Sequence, residues 1–330
     1  MTRFLGALLV AFAIVPAREA RAEKITIMVG GIEKQIYLPA KLAEQLGYFK
    51  EQGIEVELLT EPAGVQAENA MLAGEVQAVV GFYDHSIDLQ SKGKFVESIV
   101  QFSQAPGEVE LVSSKLADQV KSPADFKGKH LGVTGLGSST SFLTTYLAVK
   151  NGLKAGDFVL VPVGAGSTFI AAIQQGKIEA GMTTEPTVSR LLKTGEAKVL
   201  VDLRLPDKTT AALGGPYPAA CLYAQNSWVE KHKDTVQKVA NALVKTLHYI
   251  HDHSAAEIAE KMPKDYYAGD KEMYVRALAD GKAMFTTDGV MPDKGPETVL
   301  QVLVASNKAL ESKKIDLSKT YTSEFVKAAK

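Results

Sequence analysis

Strand-like and helix-like segments alternate along this chain, and the alternation occurs twice. Residues 24–81 contain KITIMV, IYLPAKLAEQLGYF, IEVELL, VQAENAMLAG and VQAVVG, which have the patterns of strand, helix, strand, helix and strand. The same order returns over residues 128–183 in GKHLGVT, SSTSFLTTYLAVKNG, DFVLVPV, STFIAAIQQG and IEAGMT. Alternating strands and helices predict a mainly parallel sheet flanked by helices, because parallel neighbours need a crossover connection.

The two series can be superposed along the sequence. Gly74 then matches Gly176, and Gly47 matches Gly152. A period of about one hundred residues is too long for a solenoid. We therefore expect two similar α/β lobes. The alternative is a chance similarity between two strand–helix–strand units.

The last third of the chain is mostly helical and contains one more predicted strand, AACLYAQ. We expect a first lobe at residues 23–113, a second lobe at residues 114–216, and a return to the first lobe with C-terminal helices at residues 217–330. The two crossings between the lobes, near residues 110–114 and 216–220, would form a hinge. Such a hinge allows closure around a ligand.

The first residues have the layout of a cleavable secretory signal. A cationic start at Arg3 is followed by the apolar stretch Phe4–Val15 and by small residues at Ala20 and Ala22. The apolar stretch is shorter than the roughly 18 residues that a membrane span needs. We expect a signal peptide at residues 1–22, and a retained membrane anchor is the alternative.

The composition restricts the possible location and partners. The single cysteine, Cys221, excludes an internal disulfide, and no cysteine after the signal could carry a lipid anchor. The 37 Lys and Arg against 38 Asp and Glu give a formal net charge of −1, with no basic stripe. Nucleic-acid binding usually needs such a stripe. We therefore expect a monomer in the periplasm with no nucleic-acid partner.

Four polar loops follow predicted strands of the two series. They are GGIEKQ and GFYDHS in the first series, and TGLGSST and TTEPT at the corresponding places in the second. Ligands of α/β sheets bind beyond the carboxyl ends of the parallel strands. We therefore expect all four loops to line one cleft between the lobes.

The loop GLGSST precedes a predicted helix and is rich in hydrogen-bond donors. Gly135 and Gly137 allow close backbone approach, and Ser138, Ser139 and Thr140 add hydroxyls to the free N–H groups of the first turn. This pattern favours an anion at the helix N-terminus. The alternative is that one serine caps the helix and the others fill space.

Acidic residues follow the third strand of each series. The superposition places Tyr83 and Asp84 opposite Glu185 and Pro186, so each lobe would offer a carboxylate at its rim. These carboxylates could receive an amine or orient a ligand. Capping of the following helix is the alternative. Four aromatic residues are candidate walls of the cleft: Tyr37, Phe82, Tyr83 and Tyr217.

Motifs for catalysis and metal binding are incomplete. GLGSST lacks the Gly-Lys-Ser/Thr ending of a phosphate loop, the second glycine of a nucleophile elbow and the last glycine of a dinucleotide fingerprint. HYIHDH suggests a metal site, but a histidine group at a helix end is favoured. His85 and His130 have no partner nearby in sequence and are interpreted as surface or interface residues. We expect no catalytic residue, no metal and no cofactor.

Four segments resemble a known family. They are YLPAKLAEQLGYFKEQGIEVELL, SPADFKGKHLGVTGLGSSTSFLTTYLAVKNGL, IQQGKIEAGMTTEP and FTTDGVMPDKGPETVLQVL. They are similar to segments of the periplasmic solute-binding proteins of ABC importers for nitrate, sulfonate and taurine, which share a domain with thiamine-pyrimidine binding proteins. The resemblance implies the type II binding-protein fold, in which two α/β lobes, each a mainly parallel sheet flanked by helices, are joined by two hinge crossings.

The resemblance also implies residues that contact the ligand. Together with Gly137 and Tyr217, taken from the loop and aromatic patterns, the candidate ligand-binding residues are Gly31, Ile32, Gln35, Tyr83, Asp84, Gly137, Ser138, Ser139, Thr140, Thr184, Glu185 and Tyr217. One departure is Thr184, because many members have a tryptophan there that forms an aromatic lid. The four loops also lack arginine, which leaves room for a carboxylate or a bulkier, partly neutral molecule.

The sequence therefore predicts an extracytoplasmic binding protein that captures a small organic anion by lobe closure. The anion would be like a sulfonate, nitrate or taurine, or a carboxylate. The resemblance implies delivery to an ABC permease, and indirectly to its ATPase, without catalysis. One alternative is an enzyme like the synthases of a thiamine-pyrimidine precursor, which use a cysteine-rich motif and a reactive histidine. The other is a sensor module that reports the ligand to a receptor.

Overall fold

The computed structural model describes residues 23–267 and 269–329, so the expected signal peptide lies outside the described residues. The strands are β1 (Glu23–Val29), β2 (Ile54–Thr60), β3 (Ala78–Phe82), β4 (Val96–Gln101), β5 (Glu108–Ser113), β6 (His130–Val133), β7 (Val159–Pro162), β8 (Ala180–Thr184), β9 (Ala197–Leu203) and β10 (Ala220–Gln225). The helices are α1 (Leu38–Gln45), α2 (Tyr48–Glu51), α3 (Gly64–Leu72), α4 (Asp84–Ser91), α5 (Ser139–Lys150), α6 (Ser167–Gln174), α7 (Thr187–Lys193), α8 (Pro206–Leu213), α9 (Asn226–Lys231), α10 (Lys233–Asp252), α11 (Ala255–Lys261), α12 (Lys271–Gly281), α13 (Gly295–Ser306) and α14 (Glu324–Lys327). Among the described residues, none of the helices combines the length and the apolar character that a membrane span requires.

The strands form two five-stranded mixed sheets with equivalent internal order. The first sheet has the order β2-β1-β3-β10-β4 and the second has the order β7-β6-β8-β5-β9. In each sheet, three strands from one consecutive series pair in parallel, and the fourth strand in the order is antiparallel to both of its neighbours. The predicted two-lobed α/β fold is confirmed. We call the first sheet with its helices the first lobe, and the second sheet with its helices the second lobe.

The chain passes twice between the two sheets. β5 pairs with β8 and β9, so the first crossing occupies residues 102–107 rather than the expected 110–114, and residues 108–113 belong to the second sheet. β10 pairs with β3 and β4, so the chain returns between residues 204 and 219. In each sheet, the antiparallel fourth strand is the first strand after a crossing: β10 in the first sheet and β5 in the second.

Three strands lie outside the predicted series: β4, β5 and β9. β4 pairs with β10, which lies beyond both crossings, and β5 pairs with β8 and β9, which lie more than 60 residues later in the chain. The local alternation of strands and helices does not reveal such long-range pairing. By contrast, the superposed Gly74 and Gly176 follow the equivalent helices α3 and α6, with φ of 82° and 68°. A left-handed backbone at a helix end favours glycine in both lobes.

Apolar side chains form a core in each lobe and also connect the lobes. Two clusters cover the second sheet, one around Phe169 and one around Phe126. A larger cluster fills the first lobe and includes Leu143 and Leu147 of α5, which packs against α13. Helix α13 therefore contacts α5 of the second lobe, although it belongs to the core of the first lobe.

Candidate functional site

The loops at the carboxyl ends of the parallel strands meet between the lobes and enclose a small cavity. Its volume is about 10 Å³. A single water needs about 10–15 Å³, so the lobes are closed on each other and must separate to admit a solute. The lining residues used below are Lys34, Tyr37, Phe82, His85, Glu108 and Thr184. They come from both lobes, as the expected position of the four loops requires.

The hydroxyl run lies at this cleft, and the hydroxyls of Ser138, Ser139 and Thr140 each have a protein partner. Ser139 Oγ donates to Asp84 Oδ1 at 2.9 Å, across the two lobes. Thr140 Oγ1 accepts from the backbone N–H of Thr134 at 3.0 Å, and the two threonine hydroxyls are 2.9 Å apart. The carboxylate at the N-terminus of α5 is therefore that of Asp84, where the sequence predicts a ligand anion. A helix N-terminus stabilises a protein carboxylate by the same electrostatics.

Ser138 makes a second contact between the lobes. Its Oγ accepts a hydrogen bond from the backbone N–H of Val65 at 3.3 Å. Val65 lies in the first turn of α3 in the first lobe. The beginnings of α3 and α5 are therefore held against each other in the closed arrangement.

Asp84 is fully buried and links three parts of the chain. Besides the bond from Ser139, Asp84 Oδ2 accepts from the hydroxyl of Tyr217 at 3.0 Å. Tyr217 lies in the segment that returns to the first lobe. Burial raises the pKa of Asp84, while the charge of His85 and the hydrogen bonds from Ser139 and Tyr217 act to lower it. Asp84 thus connects the first lobe, the hinge and the second lobe.

His85 is a buried cleft residue, which corrects its interpretation as a surface or interface residue. Its Nδ1 bonds to Glu68 Oε2, and its Nε2 lies 3.9 Å from Asp84 Oδ1. Nε2 has no hydrogen-bond partner among the residues that the structure describes. Burial lowers the pKa of His85, but the charge and hydrogen bond of Glu68 and the charge of Asp84 outweigh it and raise the pKa to about 9. The imidazole is therefore protonated at neutral pH.

Glu108 and Lys34 line the same cavity. Glu108 is 3% exposed, and its Oε2 lacks a hydrogen-bond partner within residues 23–267 and 269–329. Lys34 Nζ donates to the carbonyls of Gly30 at 2.6 Å and Pro62 at 3.1 Å. Burial, with the charge of Asp84, raises the pKa of Glu108 well above its usual range, and burial lowers the pKa of Lys34 to about 8. The cleft therefore encloses a carboxyl group with a free acceptor.

Glu185 caps helix α7 in its own lobe, which is the role that the capping alternative gives it. Its Oε2 accepts from the backbone N–H of Ser189 in α7 at 3.0 Å, and its Oε1 pairs with Arg204 Nη1 at 3.0 Å. Its backbone carbonyl accepts from the N–H of Gln35 at 3.1 Å. The Gln35 side chain donates to the carbonyl of Tyr274 at 2.9 Å. Glu185 and Gln35 therefore join the lobes through the backbone, while both side chains have protein partners.

The remaining candidates divide between the cavity and other places. Thr184 ends β8 and lines the cavity, and its buried Oγ1 has no partner in the described part of the chain. Gly31 has φ of 109° and lies against the side chain of Lys34, and Gly137 has φ of 83° before α5. Both glycines have a backbone conformation that other residues rarely adopt.

Tyr83 and Ile32 make contacts outside the cavity lining. The hydroxyl of Tyr83 bonds to Thr320 Oγ1 in the C-terminal segment. The backbone N–H of Ile32 donates to Thr60 Oγ1 at 3.0 Å, at the end of β2. Their expected role as ligand contacts has no support from these positions.

The cavity residues missing from the candidates include Lys34, His85 and Glu108. Lys34 and His85 lie within the polar loops GGIEKQ and GFYDHS, so the position of those loops was a sufficient signal. Glu108 is the first residue of β5, which the sequence pattern does not predict. The pattern EVELVS, with acidic and apolar residues in alternation, is the only local signal for it.

A family model described as NMT1/THI5 like matches residues 37–257 of this chain. The match covers more than half of the sequence and includes parts of both sheets. The chain belongs to the NMT1/THI5-like family. The predicted likeness to periplasmic binding proteins is confirmed at the level of the fold by the solved structures described below.

Two known proteins of similar sequence have different named roles. The 4-amino-5-hydroxymethyl-2-methylpyrimidine phosphate synthase THI13 of Saccharomyces cerevisiae is 25% identical over 236 residues, which cover 69% of this chain and 67% of the yeast protein. The putative binding protein YtlA of Bacillus subtilis is 22% identical over 312 residues, which cover 92% of this chain and 90% of YtlA.

Solved structures share the two-lobed fold. A protein from Bordetella bronchiseptica RB50 is 35% identical, with a TM-score of 0.89, and the match covers 93% of this chain and 97% of that protein. The alkanesulfonate-binding protein SsuA from Xanthomonas axonopodis pv. citri, bound to MOPS, has a TM-score of 0.71 at 18% identity, covering 92% of this chain and 99% of SsuA. This chain therefore has the fold of periplasmic solute-binding proteins.

Proposed function

We propose that this protein is the extracytoplasmic solute-binding component of an ABC importer. The closed cleft carries the proposal, because a cavity of about 10 Å³ lies between two lobes that exchange hydrogen bonds. A solute can enter only when the lobes separate, and their closure would then enclose it. The similarity to YtlA over most of its length and the fold shared with SsuA support this role.

The proposed partners are a small molecule and a membrane permease. Closure changes the relative position of the two lobes, so the permease can distinguish the loaded protein by the combined surface. The importer's ATPase would act through the permease. We place the protein in the periplasm as a monomer, and it performs no chemistry on the solute.

The proposed contacts combine expected and newly found residues. Ser139 and Thr184 remain ligand-binding candidates because they line the cavity, and Lys34, His85 and Glu108 join them. Asp84 and Tyr217 have a different role, since they hold the closed arrangement through Ser139.

The predicted anionic ligand is not favoured by these charges. The position at the N-terminus of α5 is occupied by the carboxylate of Asp84, and Glu108 lines the same cavity. A sulfonate, nitrate or carboxylate would therefore lie beside the carboxylate of Asp84, and beside that of Glu108 whenever Glu108 is ionised, and like charges at such short range repel. Lys34 and His85 also line the cavity, but Lys34 donates to two backbone carbonyls and His85 pairs with Glu68.

A cysteine pair that locks the lobes tests the proposed function. Ala63→Cys combined with Gly135→Cys places two thiols across the lobes, because a Cβ at residue 135 would lie 3.2 Å from the Cβ of Ala63 in the closed form, close to the separation that a disulfide spans. A thermal-shift screen of small metabolites first identifies a bound solute. The oxidised variant should then lose solute binding, measured by calorimetry, and reduction should restore it. Equal binding by the oxidised and reduced variant would contradict entry through lobe opening.

An enzyme is the second candidate function. The observation that favours it is the buried His85–Glu68 pair at the cleft, together with the named role of THI13. The only cysteine, Cys221, is buried in β10, which argues against the cysteine-rich motif of the synthases. Mass spectrometry of a solute after prolonged incubation separates the two: an unchanged mass supports binding, and a new product supports catalysis.

A binding experiment with purified permease would distinguish an importer from a sensor, because only an importer's permease should recognise the loaded protein.

A further inference from the structure

We infer that the solute captured in this cleft carries a protonated nitrogen, an ammonium or amidinium group, that pairs with the carboxylate of Glu108. The inference rests on the proposed solute-binding function and specifies the chemical class of the solute. It replaces the anion predicted from the hydroxyl run.

The first observation is the free acceptor of Glu108. Its side chain is 3% exposed and lines the cavity, and its Oε2 is without a hydrogen-bond partner in the described residues. Buried polar atoms in folded proteins almost always have a partner, because losing the hydrogen bonds of water is unfavourable. A donor supplied by the solute would satisfy this oxygen.

The second observation is the distribution of charges around the cavity. The charge of His85 is balanced by Glu68 at Nδ1 and by Asp84, 3.9 Å from Nε2. The ammonium of Lys34 donates to two backbone carbonyls instead of a carboxylate. When it is ionised, Glu108 therefore has no counter-ion in direct contact within the described residues. A cationic solute supplies that counter-ion.

The third observation concerns the position that an anion would occupy. The N-terminus of α5 is the electropositive end of a twelve-residue helix, and Ser139 in its first turn donates to Asp84. The protein thereby provides its own anion at this point. An incoming anion would have to displace a buried carboxylate that also accepts from Tyr217.

The aromatic lining agrees with a cation. Tyr37 and Phe82 border the cavity in an edge-to-face arrangement with ring centroids 6.1 Å apart. Ring faces attract ammonium and amidinium groups and repel anions. Lys34 Nζ already lies 6.0 Å from the centroid of the Tyr37 ring, so this lining accommodates a cationic nitrogen.

The pH dependence of binding follows from the groups that face Glu108. These groups are Lys34, Asp84, Glu110, Tyr37 and Tyr217. Burial and the charge of Asp84 raise the pKa of Glu108, which favours its protonated form in the ligand-free cleft. A cation favours the ionised carboxylate and lowers this pKa, so the affinity rises with pH. Lys34, with its pKa lowered to about 8, loses its own charge at higher pH and changes the affinity in the same direction.

Matched probes of different charge test the inference on the full protein. Acetamidinium, acetamide and acetate form one set, and benzamidinium, benzamide and benzoate form another, with nitrate and methanesulfonate as further anions. Each is titrated by calorimetry and thermal shift at several pH values. The expected result is tighter binding of the amidinium in each set, with affinity increasing as the pH rises. Tighter binding of the anions, or affinity that falls with rising pH, would overturn the inference and leave the proposed function intact.

Two variants assign the effect to Glu108. Glu108→Gln keeps the shape and removes the charge, and it should weaken amidinium binding by about tenfold to a hundredfold, as expected for loss of a charge-assisted hydrogen bond. The control is Glu179→Gln in the second lobe, just before β8, whose carboxylate accepts from the backbone N–H of His130 at 2.7 Å. It should bind the amidinium with little change. Equal loss in both variants, or none in Glu108→Gln, would refute the assignment. Absence of binding by every probe and every metabolite in the screen would instead contradict the proposed function.

Discussion

Replacing Ser139 by alanine should shift this protein towards an open arrangement. Ser139 Oγ donates to Asp84 Oδ1 at 2.9 Å, and the two residues are 4% and 0% exposed. They belong to different lobes, so separation of the lobes breaks the bond. In the alanine variant, the closed form keeps a buried carboxylate with one hydrogen-bond donor fewer, whereas the open form lets Asp84 bind water.

The size of the shift follows from the kind of hydrogen bond that is lost. A hydrogen bond to a charged group contributes about 1.5–3 kcal/mol. Because about 1.4 kcal/mol corresponds to a factor of ten in an equilibrium constant, the ratio of closed to open molecules should fall by about tenfold to a hundredfold. Tyr217 still donates to Asp84 Oδ2, so the carboxylate is not left without a partner.

Pulsed electron paramagnetic resonance between one spin label on each lobe measures this ratio. Glu75→Cys in the first lobe and Lys177→Cys in the second provide exposed attachment sites after the equivalent helices α3 and α6. Cys221 is fully buried and should not react with the label. The control is Thr145→Ala, also in α5, because the Thr145 hydroxyl donates to the carbonyl of Ser141 within the helix at 2.8 Å.

The outcome separates an interlobe contact from a general loss of stability. We expect a longer and broader distance distribution for Ser139→Ala and an unchanged one for Thr145→Ala. A Ser139→Ala distribution identical to that of the parent, or the same shift in both variants, would refute the role of the Ser139–Asp84 bond in closure.

Further predictions concern other contacts. Lys193→Met removes the ion pair with Asp270 that joins α7 to the start of α12. Surface ion pairs contribute about 0–1 kcal/mol. The variant should therefore change the closed-to-open ratio by less than about fivefold in the spin-label assay. A shift as large as that of Ser139→Ala would contradict this ranking. Glu68→Gln should flatten the pH dependence of the free energy of unfolding. The pKa of His85 is about 9 in the folded protein and 6.5 in the unfolded chain, so its protonation contributes about 3 kcal/mol to stability. This contribution is complete below pH 6.5 and is lost as the pH rises through 9. Urea unfolding at a series of pH values measures this, and parallel profiles for parent and variant would exclude the effect.

Much of the fold could be predicted because its signals are local. The strands β1, β2 and β3 alternate with α1 and α3, and β6, β7 and β8 alternate with α5 and α6, so hydrophobic spacing and turn glycines define both series. β4, β5 and β9 could not be predicted in the same way. β4 pairs with β10 from beyond both crossings, and β5 pairs with β8 and β9 at long sequence separation, so no short-range pattern contains that information.

The site was predictable in position but not in chemistry. Ser138, Ser139, Asp84 and Thr184 reach the cleft because they follow the carboxyl ends of parallel strands. That Ser139 donates to Asp84 depends on how the lobes approach each other, which the spacing within either lobe does not determine. The prediction of a ligand anion counted the Ser139 hydroxyl as a free donor, whereas Asp84 of the opposite lobe accepts from it.

The distance between the labelled lobes, measured with and without a bound solute, tests the central claim most directly. The label pair at positions 75 and 177 should give one distribution with an open component for the solute-free Ser139→Ala variant. Addition of a solute identified by thermal shift should remove the open component and restore the closed distance. A solute that binds this variant and stabilises it while leaving the distance distribution unchanged would contradict capture by lobe closure.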